Sequence, residues 1–209
     1  LNLGLAVARE AGYVCSVHAR PNFNVTPTQL HQGWTHNNAL TLVPTDGQGE
    51  PVTVLLDNVS SGAANPHGVA VSRDGRTLLV GHRGTHEISV IDLDKLQSLL
   101  ESSTPQTLAA ASSNLGFLWT SGDIIRRVPC GGLGPHGLAV CPRTGQVYVA
   151  NYFSDTVTVL DPQTFEVIRT IDLGGPPRMD TVRRGEFLFN DGTQCFQRWL
   201  SCTSCHPDT

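Results

Sequence analysis

The chain has 209 residues, enough for one or two domains with a hydrophobic core, so folding needs no disulfide or metal staple. Its 21 glycines and 13 prolines, with only 15% charged residues, are typical of short strands joined by many turns. The net charge of -4 without a basic stripe argues against a nucleic-acid partner, and no apolar run is long enough to span a membrane.

The beginning of the chain carries no recognisable targeting signal. Residues 1–8 start without a methionine and lack the length and the basic start of a signal peptide. We therefore expect both ends to be cut from a longer protein.

The first predicted elements are three strands, at residues 12–18, 37–43 and 52–57. They form a degenerate copy of the repeat that follows, and no first strand is recognised for this copy. Residues 19–34, which contain proline and asparagine, replace a tight turn and are expected to cap one face of the fold.

A clear internal repeat follows. The segments Pro66-His67-Gly68-Val69-Ala70-Val71 and Pro135-His136-Gly137-Leu138-Ala139-Val140 lie 69 residues apart, and the match continues without a gap to residue 92 and residue 161. Each copy contains three short strands, and a fourth is predicted at residues 123–128 in one copy and 165–173 in the other. Four strands per repeat predict a blade of a β-propeller.

Alternation within the strands predicts which side chains are buried. Val90 alternates with Ser89, and Val159 alternates with Thr158, which is the period of a strand with one better-buried face. Blades pack sheet on sheet, so we expect the hydroxyl residues to be more exposed than the following set: Val69, Val71, Leu138, Val140, Val157 and Val159.

The first of the two clear copies carries an insertion between Leu93 and Asp123. Leu96, Leu99 and Leu100 have helical spacing there, followed by Thr104 and a Ser/Ala-rich stretch, which predicts a short helix and a surface loop. The fold class is therefore mainly β: a partial propeller of about three four-stranded blades, the first incomplete. Three blades are too few to close a ring.

The repeat lapses after Pro176, where a second unit is predicted. Asp180 is placed to cap a helix through Val182, Glu186 and Phe187. We predict a propeller segment over residues 1–177 and the start of another, truncated domain over residues 178–209. About thirty residues bury little surface alone, so we expect this tail to dock weakly.

The end of the chain carries a chemical motif. Cys202, Cys205 and His206 have the C-x-x-C-H spacing, which on one helical turn brings two thiols and an imidazole to the same side. This predicts two thioether bonds to haem c, with His206 as the proximal ligand of the iron. The alternatives are a dithiol or disulfide, or half of a zinc site with Cys195 as a third thiolate.

Other candidate ligands have simpler interpretations. His67 and His136 are candidate metal ligands, but both occupy the same position before the innermost strand of a blade, which favours a structural role where the chain enters the blade. Met179 is a weaker candidate for the second axial ligand, and Phe196 and Trp199 are expected to pack on the haem edge. A disulfide between the two cysteines that flank a Gly-rich turn, Cys130 and Cys141, is an alternative to free thiols.

Two resemblances accompany these motifs. The segments Val147-Tyr148-Val149-Ala150-Asn151 and Thr156-Val157-Thr158-Val159-Leu160-Asp161 resemble the bacterial YVTN-type β-propeller repeats. The segment Arg184-Gly185-Glu186-Phe187-Leu188-Phe189-Asn190-Asp191 and the C-x-x-C-H motif resemble the opening of the first haem domain of di-haem cytochrome c peroxidases and their MauG-like relatives. The second resemblance implies a periplasmic or otherwise exported parent protein, a di-haem oxidoreductase, of which this fragment alone is not active.

Two functional hypotheses follow. The first is a haem c electron-transfer module of a larger di-haem redox protein, with a redox partner protein or a small oxidant and no nucleic acid. The alternative is that the propeller itself binds a ligand or a protein on its axial face, with no redox activity in this fragment.

Overall fold

The fold consists of three four-stranded antiparallel sheets, as a computed structural model shows for residues 2–22 and 35–206. Blade 1 contains β1 (Asn2–Ala8), β2 (Tyr13–Pro21), β3 (His36–Pro44) and β4 (Val52–Leu55); blade 2 contains β5 (Pro66–Val71), β6 (Thr77–His82), β7 (Glu87–Asp92) and β8 (Ile125–Pro129); blade 3 contains β9 (Pro135–Val140), β10 (Val147–Asn151), β11 (Thr156–Leu160) and β12 (Val167–Asp172). Each sheet pairs its strands in chain order, and the first strand of blade 2, β5, contacts both β1 and β9. The predicted fold class is confirmed.

Four helices complete the described structure. They are α1 (Leu93–Ser102), α2 (Pro105–Ala111), α3 (Thr181–Asn190) and α4 (Cys202–Cys205), with short 3-10 turns at Gly192–Gln194 and Phe196–Arg198. No helix among the described residues is long and apolar enough to cross a membrane.

Blade 1 has the first strand that the sequence prediction lacked. β1 pairs with β2 in antiparallel register, with Ala6 opposite Cys15 and Ala8 opposite Tyr13. Leu3, Leu5 and Val7 alternate with small or polar residues, and this period of two is the signal that predicts a strand there. The excursion predicted at residues 19–34 lies mostly outside the described residues; its first residues continue β2 to Pro21.

The prediction that Ser89 and Thr158 are the more exposed residues is wrong. Both side chains are fully buried, whereas only Val159 of the six apolar residues is fully buried and the other five are half-buried. In blade 2 the strand β7 contributes Ile91 to the core with blade 1 and Ile88 and Val90 to the core with blade 3, so this strand has no solvent side. The buried hydroxyls are satisfied in the same way in both blades: Ser89 Oγ lies 2.7 Å from His82 Nε2, and Thr158 Oγ1 accepts from Asn151 Nδ2 at 2.7 Å.

The insertion forms two helices rather than one helix and a loop. Asp92 caps α1 by accepting from Lys95 N at 3.0 Å, and Thr104 caps α2, which begins with Pro105. Leu96 and Leu100 are buried in the core between blades 1 and 2. A second core between blades 2 and 3 contains Leu79, Ile88, Val147 and Val149, among others.

Candidate functional site

One end of the three blades is built from four loops. Two of these loops, at residues 56–65 and 130–134, lead into the first strands of blades 2 and 3. The other two, at residues 83–86 and 152–155, join the two central strands of the same blades. We call this end the top face. After β12 the chain crosses residues 173–180 and then packs back onto the top face with residues 181–206, which we call the docked segment.

The docked segment is anchored, so the expectation of a weakly docked tail is wrong. α3 begins where it was predicted to begin, because Asp180 Oδ1 accepts from Arg183 N at 2.7 Å. The ring of Phe187 on the inner side of α3 lies 5.3 Å from the ring of Phe153 and 5.7 Å from that of His86. Aromatic pairs at these separations add to the apolar burial.

Ion pairs surround this aromatic cluster. Arg183 donates to Glu186 at 2.8 Å and to the backbone carbonyl of Tyr152, and its guanidinium lies 4.0 Å from the centre of the Tyr152 ring. Arg83 of the top face reaches Glu186 at 3.8 Å. Burial alone would raise the pKa of Glu186, but hydrogen bonds from Tyr152 and Arg183 and the charge of Arg83 lower it. Glu186 is therefore ionised near neutral pH.

His86 joins the docked segment to the loop before blade 3. Its Nδ1 accepts from Gly134 N at 3.0 Å, which leaves the proton on Nε2, and Nε2 lies 3.4 Å from Asp191 Oδ1. Burial lowers the pKa of His86, against the opposing charge of Asp191. The neutral ring thus links two elements by one acceptor and one donor atom.

Asn65 is the main polar contact with α4. Its amide group donates to Ser201 Oγ at 2.7 Å and to Thr203 Oγ1 at 3.1 Å, and its oxygen accepts from Ser204 Oγ at 2.8 Å. It also donates to the backbone carbonyl of Asn190 at 3.3 Å. One side chain therefore ties the ends of α3 and α4 to the top face.

A buried carboxylate supports these contacts from below. Asp57 has no exposed surface and accepts from Asn38 N, Asn38 Nδ2 and Ala63 N at 2.7–2.8 Å. Burial raises the pKa of Asp57 to about 6, although these hydrogen bonds and Arg127 lower it. The amide of Asn38 then donates to the Trp199 carbonyl at 3.0 Å.

The docked segment approaches the backbone of the top face most closely at Gly62. Gly62 N donates to the Gln197 carbonyl at 2.7 Å, and a Cβ at Gly62 would lie 2.2 Å from the Cα of Trp199. Only glycine permits this approach. Trp199 is buried here against the top face, not at a haem edge, and Phe196 is exposed.

The structure places Cys202, Cys205 and His206 together on the outer side of the docked segment. All three side chains are exposed, and α4 forms the predicted helical turn, with His206 N donating to the Cys202 carbonyl at 2.9 Å. Cys205 Sγ lies 3.9 Å from His36 Nδ1. No group of three or more metal-ligating side chains occurs among the described residues, so the zinc alternative gains no support there.

The remaining candidates are simple to place. Cys130 and Cys141 are free thiols, so the alternative of a disulfide between them is not realised, and Met179 lies in the connection before α3. His67 and His136 start β5 and β9; their rings lie 3.8 Å apart, and His67 Nδ1 donates to the His136 carbonyl at 3.1 Å. Their contact joins two blades, which fits the structural interpretation.

Sequence reasoning missed the residues that hold the docked segment, above all Asn65, Arg83 and His86. One signal was available. Asn65 occupies the position of Gly134 in the next copy of the repeat, and both have left-handed backbones, with φ of 58° and 67°. A non-glycine residue at such a position marks a side chain with a specific role.

Comparison with known proteins shows a relationship to one enzyme. No family model matches the chain. Hydrazine synthase subunit beta of Kuenenia stuttgartiensis is 32% identical over 148 residues, which are 71% of this chain and 38% of that protein. The chain is homologous to that subunit and spans well under half of its length.

Solved structures agree with this relationship. Hydrazine synthase from Kuenenia stuttgartiensis superposes with a TM-score of 0.70 and 29% identity, covering 79% of this chain and 46% of the matched chain. The periplasmic gluconolactonase of Pseudomonas aeruginosa has a TM-score of 0.50 at 18% identity, over 84% of this chain and 43% of that one, which shows a shared fold alone.

These findings overturn the main functional hypothesis, a haem electron-transfer module. The relative is subunit beta of hydrazine synthase, nothing in the comparisons indicates a YVTN-type repeat, a cytochrome c or a di-haem peroxidase, and no haem pocket surrounds the exposed Cys202 and Cys205 in the described structure. A redox partner or small oxidant therefore has no support. The alternative, a binding propeller, agrees better with the findings.

Proposed function

We propose that this chain is a β-propeller binding module that assembles with other protein subunits. Homology to a protein named as a subunit of hydrazine synthase supports this proposal. Propellers present extended loop surfaces on a rigid scaffold, which suits them to bind partners at the end of the blades.

The observation that carries the proposal is the docked segment itself. Its inner side is fixed to the top face by side-chain contacts, while its outer side presents apolar residues: Val182 is 82% exposed and Leu188 46% exposed. Exposed apolar side chains on a fixed helix fit the core of a protein interface, and the arginines Arg178 and Arg184 supply a polar rim.

Two earlier predictions are independent of this proposal. Export to the periplasm stays a prediction. Covalent attachment of haem c at Cys202 and Cys205, with His206 as a ligand of the iron, also stays a prediction. Its test is a haem stain after denaturing electrophoresis. The unaltered chain should stain and the Cys202→Ser/Cys205→Ser variant should not.

The test of assembly is native mass spectrometry of the tagged protein isolated from its own cells, combined with cross-linking. We expect a complex of fixed stoichiometry, with cross-links from another protein to the docked segment. Leu188→Asp should weaken the complex, whereas Val167→Asp, on the edge strand β12, serves as the matched exposed control. A chain that is monomeric in its own cells, or a complex unaffected by Leu188→Asp, contradicts the proposal.

A further inference from the structure

Arg83 is held in a fixed position on the top face. Its backbone N–H donates to the Asn65 carbonyl at 2.9 Å, and Gly84 N donates to the Ala64 carbonyl at 3.0 Å. The guanidinium carbon lies 5.1 Å from the ring centres of both Tyr152 and Phe153. Backbone and side chain are therefore positioned before any ligand arrives.

The hydrogen-bonding edge of Arg83 is only partly filled. The Nε and Nη2 donors of a guanidinium lie along one edge, which matches the two oxygens of a carboxylate. Arg83 Nη2 lies 3.8 Å from Glu186 Oε1, beyond hydrogen-bond range, and the buried Arg83 Nε has no hydrogen-bond partner among the described residues. A buried donor without an acceptor is costly.

Glu186 can leave Arg83 at small cost. It keeps a 2.8 Å hydrogen bond to Arg183 one turn away on α3, so its carboxylate is not left unpaired when Arg83 takes another ligand. Asp155 gives Arg183 a second partner at 3.7 Å. The Arg183–Glu186 ion pair therefore does not depend on Arg83.

We propose that the Nε–Nη2 edge of Arg83 is a carboxylate-binding site at the top face. The Arg83 side chain is 19% exposed and Glu186 37% exposed, so an external carboxylate first displaces Glu186 from Nη2 and then reaches the buried Nε beside it. The carboxylate comes from an acidic side chain of a partner protein or from a small free acid. The inference rests on the proposed function only in taking the end of the blades that carries the docked segment as the partner-binding end. The two oxygens of a carboxylate can accept from Nε and Nη2 at the same time, and such bidentate, charge-assisted pairs are strong.

The experiment is a titration of the full chain followed through two signals: the Arg83 Nε–H resonance, assigned with the Arg83→Lys variant, and the backbone N–H of the neighbouring Gly84, which reports binding in that variant too. The probes are acetate, as the free acid, and a tetraglutamate peptide, as the partner side chain, against sodium chloride at equal ionic strength. Glu186→Gln removes the internal competitor without changing the size of the side chain. Asp155→Asn is the matched control, because it pairs with Arg183 and not with Arg83.

We expect Glu186→Gln to bind a carboxylate about tenfold more tightly than the unaltered chain, because it removes the negative charge that competes for the partly buried guanidinium at 3.8 Å. Asp155→Asn should not tighten binding, and Arg83→Lys in the Glu186→Gln background should lose it. Binding of acetate identifies a small acid as sufficient, and binding of the peptide alone identifies a protein side chain.

The proposal fails if neither probe shifts the Arg83 resonance in folded Glu186→Gln, if chloride does so equally, or if Arg83→Lys binds as well as arginine. No partner protein is present in this titration. Its failure is therefore distinguishable from a failure of the assembly experiment, and each can succeed without the other.

Discussion

At the scale of single residues, Asn65 combines a backbone role and a side-chain role. Its φ of 58° places it in the left-handed region that Gly134 occupies in the next blade. Asparagine tolerates this conformation better than most residues, and glycine tolerates it best. The amide adds the contacts with Ser201, Thr203 and Ser204 that glycine cannot make.

This dual role predicts different costs for two substitutions. Asn65→Gly keeps the backbone conformation and removes an amide whose two N–H donors and one oxygen acceptor are all engaged. We therefore expect the free energy of unfolding to fall by about 3 kcal/mol, roughly 1 kcal/mol for each of the three groups. Asn65→Ala should cost about 1 kcal/mol more, because its Cβ disfavours the left-handed region. Urea unfolding measures both. Equal stability of Asn65→Gly and the unaltered chain would show that the amide network contributes nothing.

At the scale of elements, α3 is the part of the docked segment held by aromatic contacts. Phe187 contacts both His86 and Phe153, and the latter is buried at 2% exposure. Phe196, in the following 3-10 turn, is 58% exposed. The two phenylalanines therefore form a matched pair within one segment.

Alanine substitutions at these two phenylalanines should show which of them stabilises the docked segment on the top face. We expect Phe187→Ala to destabilise the docked segment by about 2 kcal/mol, less than a fully buried phenylalanine because Phe187 is only half-buried. Phe196→Ala should change it by under about 0.5 kcal/mol. Proteolysis at residues 178–206 reports the difference, and equal susceptibility of the two variants would contradict this assignment.

The blades could be predicted from sequence because their signal is local. The 69-residue repeat, the strand periodicity and the cap at Asp180 each lie within a short stretch of chain. The contacts of Asn65 with the docked segment join residues 125 to 139 positions apart, and no pattern in one sequence encodes such pairs. The strand β1 and the buried Ser89 were missed for other reasons: an overlooked alternation, and a strand covered on both faces.

At the scale of the whole molecule, buried imidazoles make stability depend on pH. Burial lowers the pKa of six of the histidines that the structure describes: His18, His36, His67, His82, His86 and His136, the last to about 4. The unfolded chain takes up these protons near pH 6.5 and the folded chain does not, so stability is lost as pH falls below about 6.5. Asp57 opposes this, because its raised pKa adds stability as pH falls from about 6 to 3.8.

Six groups outweigh one, so we expect the melting temperature to fall between about pH 7 and pH 5. The fully buried His82 should contribute strongly, and His82→Asn tests it, because Asn151 makes the same hydroxyl contact in the next blade. Thermal melts of this variant should show a shallower pH slope than the unaltered chain. An unchanged slope would mean that His82 does not couple folding to protonation.

The central claim is that the docked segment and the three blades form one folded surface. Hydrogen exchange on the full chain tests it most directly at two amides, Gly192 N–H, which donates to the Gly84 carbonyl at 2.8 Å, and Gly62 N–H, which donates to the Gln197 carbonyl. We predict that both exchange at least about a hundredfold more slowly than the exposed amides of Gly175 and Arg178, as expected for a packed interface that opens rarely. Exchange of both amides as fast as at Gly175 and Arg178 would show that the segment is not docked, and would contradict the account.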